Sequence, residues 1–393
     1  MLTVDLSKRS FLRTAASLAA GSLAARYGRA LTDQVTSNTS HKVVLLICGG
    51  VRKQETFSER GIVNIPNLFG KLLPQSTFYS NIRNEGITSH FNTTASILTG
   101  NWQRVDAWGN LRPTTPTIFE FLRKDRELAA KDTWLISSNK ALTRLIGASS
   151  AYGYGSAFGA NVVFPKQLLI NAVEAAIQAG RKRSLSDRTK AQDEIENTLQ
   201  GNNYEGLGWN VFDGTSELDP SARSTIQRAV SAFTHESGPI SGDEFTYLVS
   251  VEIMRKFAPA LLVVGFSDVE VAHFGSYSLH LGGIRNFDRL AAQLWDEIQT
   301  NEAYRGRTTM IVLPEFGRDF DGSSTNGFFN HRSDSESCRD TWMMCLGGAV
   351  KTPHVEGGLV HHIDVCPTIA ALLGCPPQKQ NMTGIKLAGL EYY

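Results

Sequence analysis

Short apolar runs closed by glycine or proline recur along this chain, alternating with segments whose apolar residues fall three and four apart. The first, Val43-Val44-Leu45-Leu46-Ile47, ends at Gly49-Gly50. It lacks in–out alternation, as expected of a parallel strand covered on both faces. Similar runs occupy Thr77 to Ile82, Thr133 to Ser137, Ala258 to Val264, TTMIVLP from Thr308 and DTWMMCLGG from Asp340. Helical spacing marks Ile65 to Leu73, Thr117 to Arg123, Leu279 to Thr300 and the apolar stretch after Asp364. Strands alternating with helices predict an α/β fold whose mostly parallel sheet is flanked by helices. From about 150 to 257 the pattern is mostly helical, with the charged segment RKRSLSDRTKAQDEIENTLQGNN, and reads as a helical insertion within one domain spanning 42–393.

Charged and imidazole side chains cluster where these elements change. Glu315 follows the Thr308 strand, His331 lies in the next loop, and His361-His362-Ile363-Asp364 opens the last helix. Ends of strands are where open α/β sheets hold ligands, so this pattern points to a metal or anion site. Successive strand side chains alternate, so His361 and His362 cannot face one way; His362 is the preferred ligand, with Asp364 a helix-entry carboxylate. The 393 residues are 41% hydrophobic and 9% aromatic, enough for a full core. Five cysteines, Cys48, Cys338, Cys345, Cys366 and Cys375, are an odd number without a CxxC pair, which argues against a disulfide scaffold.

Net charge is +1, but five cations against Asp5 alone give residues 1–31 a surplus of +4 and leave the remainder near −3. No nucleic-acid footprint survives in that remainder. The N-terminus, Ser7-Lys8-Arg9-Ser10-Phe11-Leu12-Arg13 followed by TAASLAAGSLAA, resembles a twin-arginine signal with Lys8 in place of the first arginine. The expectation is a signal segment at 1–31, a polar linker at 32–41, and a periplasmic or extracellular protein delivered by the twin-arginine export machinery. Nothing later is long and apolar enough to span a membrane, so an uncleaved signal would be the one membrane segment.

Several motifs together carry a resemblance. They are strand-Gly49-Gly50, Thr99-Gly100 closing a helix, Asp268-x4-His273-x-Gly275, strand-Glu315-Phe316-Gly317-Arg318, and His362-x-Asp364-x-x-Pro367-Thr368-Ile369-Ala370-x-Leu372-Leu373-Gly374. Over about 42–110 and 258–390 the chain resembles the alkaline phosphatase and sulfatase superfamily, above all its exported sulfatase-like branch of unknown function. That resemblance implies an alkaline-phosphatase-like sheet and divalent ions of the zinc, calcium or magnesium class. It also implies hydrolysis of phosphate or sulfate esters, small or borne on polymers. Carried over by position, the metal ligands would be Asp268, His273, Glu315 and His362, with His331 replacing the imidazole lost at Phe316. Glu55 would compensate for Cys48, which stands where the family has a metal-binding aspartate. The family nucleophile, ten residues before Gly100, falls on His90; Thr93 and Thr94 are the nearby hydroxyls, equally readable as N-caps of the Ala95 to Leu98 turn. Arg52 and Arg318 would hold the oxyanion. The alternative is an exported binding or assembly protein whose catalytic set has decayed.

Overall fold

Alternate residues of strand β1 (Lys42–Cys48) enter different cores: Val44, Leu46 and Cys48 pack on one face of the sheet, Val43, Leu45 and Ile47 on the other. A strand apolar on both faces belongs in the middle of a sheet, and β1 sits there, parallel to β5 (Leu261–Phe266) on one side and to β6 (Thr308–Pro314) on the other. The computed structural model describes residues 41–105, 111–139, 146–165, 241–321, 327–375 and 382–392. Its other strands are β2 (Ser76–Arg83), β3 (Thr133–Ser137), β4 (Asn161–Val163), β7 (Asp340–Gly347), β8 (His354–Glu356) and β9 (Val360–His361). The described strands form one sheet in the order β4-β3-β5-β1-β6-β7-β2-β8, with β9 also on β2. Only β7 runs against its neighbours, so the carboxyl ends of β1, β5, β6 and β2 share one edge.

Helix α1 (His90–Thr99) starts at Ser89, whose hydroxyl accepts from Asn92 N, and stops at Gly100 with φ of 70°. Thr93 and Thr94 therefore lie inside the helix, and Ser89 is the cap. Helices α2 (Gly242–Phe257) and α3 (Tyr277–Thr300) cover one face; α1 and α4 (Val365–Leu372) cover the other. In α3 the buried residues Ile284, Phe287, Leu290, Ala291, Leu294, Trp295 and Ile298 recur at helical spacing, and truncating a ring such as Phe287 there costs about 3–5 kcal/mol.

The predicted strands all form. The predicted helices at Ile65 to Leu73 and Thr117 to Arg123 are instead broken turns, part π and part 3-10 or short α. Pro74, in the 3-10 turn Leu73–Gln75, stops the first, because a proline cannot continue the ladder. The expected helical span of about 150–257 is helical at Gly242–Phe257, but its start supplies edge strand β4 on β3. Residues 166–240, the 1–31 segment and all but residue 41 of the 32–41 linker lie outside the described residues. All five cysteines are free and buried.

Candidate metal centre

The shared carboxyl edge of β1, β5, β6 and β2 gathers the polar side chains that matter. After β5 the chain turns through a 3-10 segment, Asp268–Phe274, which places Glu270 and His273 one turn apart on the same side. His90 opens α1 just beyond β2, and His331 arrives from the loop after β6. Ligand atoms of His90, Glu270, His273 and His331 all lie within 4.8 Å of one another.

The contacts within this group suit a cation. Glu270 Oε2 is 3.3 Å from His90 Nε2 and 3.2 Å from His273 Nε2, and the Nε2 atoms of His273 and His331 are 3.1 Å apart. Ligands at about 2.0–2.1 Å around a tetrahedral zinc stand roughly 3.3 Å from each other, which these separations match. The outer nitrogens are committed elsewhere: His90 Nδ1 pairs with Glu315 Oε2, and His331 Nδ1 donates to Thr88 O at 2.6 Å. An Nδ1–H held that way leaves the Nε2 lone pair aimed inward, the arrangement of metal-ligating histidines with their supporting partners. Inward lone pairs facing a carboxylate oxygen repel unless a proton or a cation lies between them. The donor set of three imidazoles and one carboxylate suits a zinc-class ion better than calcium, which takes oxygen ligands.

Electrostatics prepare the group further. Burial would raise the Glu270 carboxyl, but the Arg318 guanidinium leads the groups that outweigh it and hold it well below the usual range, so it is an anion. Arg318 Nη2 reaches Glu270 Oε2 at 2.6 Å, and Gly50 N donates to Glu270 Oε1 at 2.7 Å. A Cβ on Gly49 would lie 2.0 Å from Glu270 Oε1, so only glycine admits this carboxylate beside β1. Burial above all keeps the His331 imidazole well below its ordinary value and hence neutral.

The expected ligands divide into two groups. His273 and His331 converge, joined by His90, which was expected as a catalytic group in the nucleophile's place. Glu315 stands one layer out: Oε2 holds His90 Nδ1 and Oε1 accepts from Thr94 Oγ1 at 2.7 Å, while burial raises its carboxyl. Asp268 points elsewhere, its Oδ2 accepting from Asp243 N at 3.2 Å. His362 is buried with Nε2 3.3 Å from Pro314 O, and burial lowers its imidazole to about 4. Glu55 is held by Arg52 and by Tyr277 Oη at 3.1 Å, away from the four. Thr93 bridges Asn84 Nδ2 and Ile87 O, so its hydroxyl is structural. Arg52 is taken up by Glu55, Asp319 O and Asp321, and Arg318 by Glu270 and the Gly50 carbonyl. Cys48 is a protonated thiol, pushed well above its usual value by burial and by nearby carboxyls led by Glu315. Asp364 accepts from His361 N and Ile385 N, both at 2.8 Å, as a helix-entry carboxylate should. Sequence reasoning missed Glu270; its signal was the Glu-x-x-His spacing to His273.

No family model matches the sequence, and no curated protein does. Solved structures match across most of the chain. Wild-type alkaline phosphatase PafA gives a TM-score of 0.51 at 10% identity, covering 92% of this chain and 100% of that one. The lipoteichoic acid synthase LtaP from Listeria monocytogenes also gives 0.51 at 10% identity, covering 94% of this chain and 82% of its own. Likeness at such low identity concerns architecture: the chain shares the α/β fold of these two structures.

Proposed function

We propose that this protein hydrolyses phosphate or sulfate esters with one divalent ion, of the zinc class, held by His90, Glu270, His273 and His331. The observation that carries this reading is the convergence of His90, His273 and His331 with Glu270, two Nε2 atoms lying on Glu270 Oε2 and the third on His273 Nε2, with the Nδ1 of His90 and of His331 anchored outside. A bound ion supplies Lewis-acid polarisation of the ester and acidifies a water toward neutrality. The residues do the rest. Glu315 and the Thr88 carbonyl fix ring orientation, and Arg318 keeps Glu270 ionised. His90 fills the nucleophile's place, while the Thr93 and Thr94 hydroxyls are engaged with Ile87 O and Glu315. The reading therefore has no covalent intermediate, and water attacks the ester directly.

One observation favours a second reading. Four protein donors make a closed centre, which is the habit of structural rather than catalytic zinc. Elemental analysis of protein purified without chelator, together with turnover of aryl phosphate and aryl sulfate, separates the two. The hydrolase predicts one ion per chain, lost in His90→Ala and His273→Ala, and turnover that a chelator abolishes. A loaded but inert protein supports the binding role, and a protein that takes up no ion refutes both. We also propose export by the twin-arginine route, supported by Lys8-Arg9-Ser10-Phe11-Leu12 ahead of an alanine-rich stretch. Cell fractionation tests it: periplasmic protein is expected, and a wholly cytoplasmic product overturns it. Among the described residues no helix is long and apolar enough to cross a membrane.

A further inference from the structure

Resting on the ion centre of the hydrolase reading, we infer that His280 is a positioning residue for that centre. From the first turn of α3 it fixes the peptide that aims Glu270, and through Phe328 it backs the carbonyl that steadies Arg318.

His280 and Gly283, three residues apart and so on one face of α3, meet the 3-10 segment Asp268–Phe274. His280 Nδ1 donates to Val269 O at 2.8 Å. A Cβ on Gly283 would fall 3.0 Å from Asp268 C, Val269 N and Val269 Cα, so the helix lies directly on the backbone that leads into Glu270. On the other side of the same peptide, Glu270 N donates to Ser267 O at 2.9 Å. The Val269–Glu270 peptide is thus held through both its oxygen and its nitrogen. Direction is what the centre needs from it: Glu270 Oε2 reaches Arg318 Nη2 at 2.6 Å and stands 3.3 Å from His90 Nε2 and 3.2 Å from His273 Nε2. Successive side chains of a 3-10 segment stand about 120° apart, so a rotation of this peptide would redirect the carboxylate. The His280 ring is also stacked on Phe328, with centroids 5.9 Å apart and planes 27° apart. Phe328 O accepts from Arg318 Nη1 at 3.2 Å. One imidazole therefore braces both the peptide before Glu270 and the residue that steadies the guanidinium holding Glu270 ionised.

Packing alone does not call for an imidazole there. His280 is 0% exposed, and its Nε2 is buried with no hydrogen-bond partner among the described residues. A buried acceptor without a partner lowers stability, and phenylalanine would fill the same place without one. Burial above all lowers the imidazole to about 3, so the ring is neutral and its single N–H is the one on Nδ1. What the histidine contributes is that N–H.

The test measures zinc affinity by competition with a chromophoric chelator, and the visible absorption bands of the cobalt(II)-loaded protein, which report ligand geometry. His280→Phe keeps the shape of the ring and loses the N–H, so zinc is expected to bind about tenfold more weakly, with shifted cobalt bands. His280→Asn places an amide N–H where Nδ1 stood and should restore most of the affinity and the wild-type bands. Phe287→Leu, a core change farther along α3, controls for stability: it should lower the urea midpoint in chelator and leave zinc affinity and cobalt bands unchanged. Should His280→Phe not fold, His280→Gln replaces it, because the longer amide reaches the place of Nε2 and leaves Val269 O without its donor. Wild-type affinity and bands in the Phe or Gln variant, an Asn variant no better than these, or a loss in Phe287→Leu equal to theirs overturns the inference alone. Wild-type protein that takes up no zinc overturns the ion centre and this inference together. Loaded protein without turnover refutes hydrolysis, and the zinc and cobalt readings then still decide on His280.

Discussion

Replacing Glu270 with glutamine changes one atom and should cost both ion binding and fold stability. In the wild type, Glu270 Oε2 sits 2.6 Å from Arg318 Nη2, and neither side chain is more than 2% exposed. In Glu270→Gln the amide oxygen can keep the Gly50 N–H bond, which leaves the amide nitrogen facing the guanidinium. A buried cation without its counter-charge costs about 3–5 kcal/mol, a large share of the roughly 5–15 kcal/mol that holds a domain together. Arg318→Met leaves the mirror-image problem, an unpaired buried carboxylate. The double variant, with neither charge, should be more stable than the sum of the two single losses predicts, because the desolvated charges are gone. Urea unfolding in chelator isolates this term. Repeating it with zinc should raise the wild-type midpoint more than the Glu270→Gln midpoint, since three imidazoles hold the ion more weakly than three imidazoles and a carboxylate and stabilisation follows affinity for the folded state. If Glu270→Gln unfolds within about 1 kcal/mol of wild type in chelator, or the two single losses simply add, the ion pair is not the desolvated one described.

Glu315→Gln weakens the support of His90 without replacing an inner ligand, so zinc affinity by competition with a chromophoric chelator should fall about 10–100-fold while the fold survives; unchanged affinity rules out the supporting role. Gly49→Ala would push a methyl to within 2.0 Å of Glu270 Oε1, and should displace the carboxylate, lower zinc content and cost about 1–3 kcal/mol; full zinc content would show that Glu270 can move freely. Stability in chelator should peak near pH 6.5. Burial lowers His280 to about 3 and His362 to about 4, so from pH 6.5 to 5 the unfolded chain takes up protons that the folded chain refuses, at about 2 kcal/mol each, and His331 acts in the same direction. Asp243 opposes this: burial and Asp268 raise it to about 8, so its contribution is full at acid pH and is lost as pH rises, by about 2 kcal/mol between 6.5 and 8. Denaturation midpoints that rise steadily from pH 5 to 8 would contradict that balance, and Asp243→Asn should flatten the alkaline limb.

The sheet was legible because its strands are apolar on both faces, a local property that no tertiary contact needs to reveal. The small edge strands β4, β8 and β9 were not, since three or fewer residues carry no periodicity and exist only through pairing with β3 or β2. The site was half legible for a related reason. His273 and His331 stood out as imidazoles at strand ends, and His90 stood out through its place relative to Gly100. Whether a carboxylate there faces inward depends on two-thirds of a turn of 3-10 helix: in Asp268-Val269-Glu270-Val271-Ala272-His273, Asp268 caps toward Asp243 while Glu270, two residues later, turns to Arg318 and His90. Arg318 was expected to hold an oxyanion and instead pairs with Glu270, the residue overlooked.

The same residues bear on how many ions the centre takes. The resemblance implied that an imidazole is lost at Phe316 and a metal-binding aspartate at Cys48. Phe316 instead lies 4.2 Å from the His331 ring in a stacked arrangement and 5.1 Å from His90, with 0% exposure. Gly50 is needed to admit it, since a Cβ there would fall 2.6 Å from the ring. Cys48 is a protonated thiol in the core, and Glu55, the nearby carboxylate able to replace it, is tied to Arg52. The lost donors are thus replaced by packing on one side and by an internal ion pair on the other. His90 moves the other way, from the nucleophile's position into the ligand group. With a ring at 316 and an imidazole at 90, the described residues bring together one group of ligand-type side chains at this edge, His90, Glu270, His273 and His331.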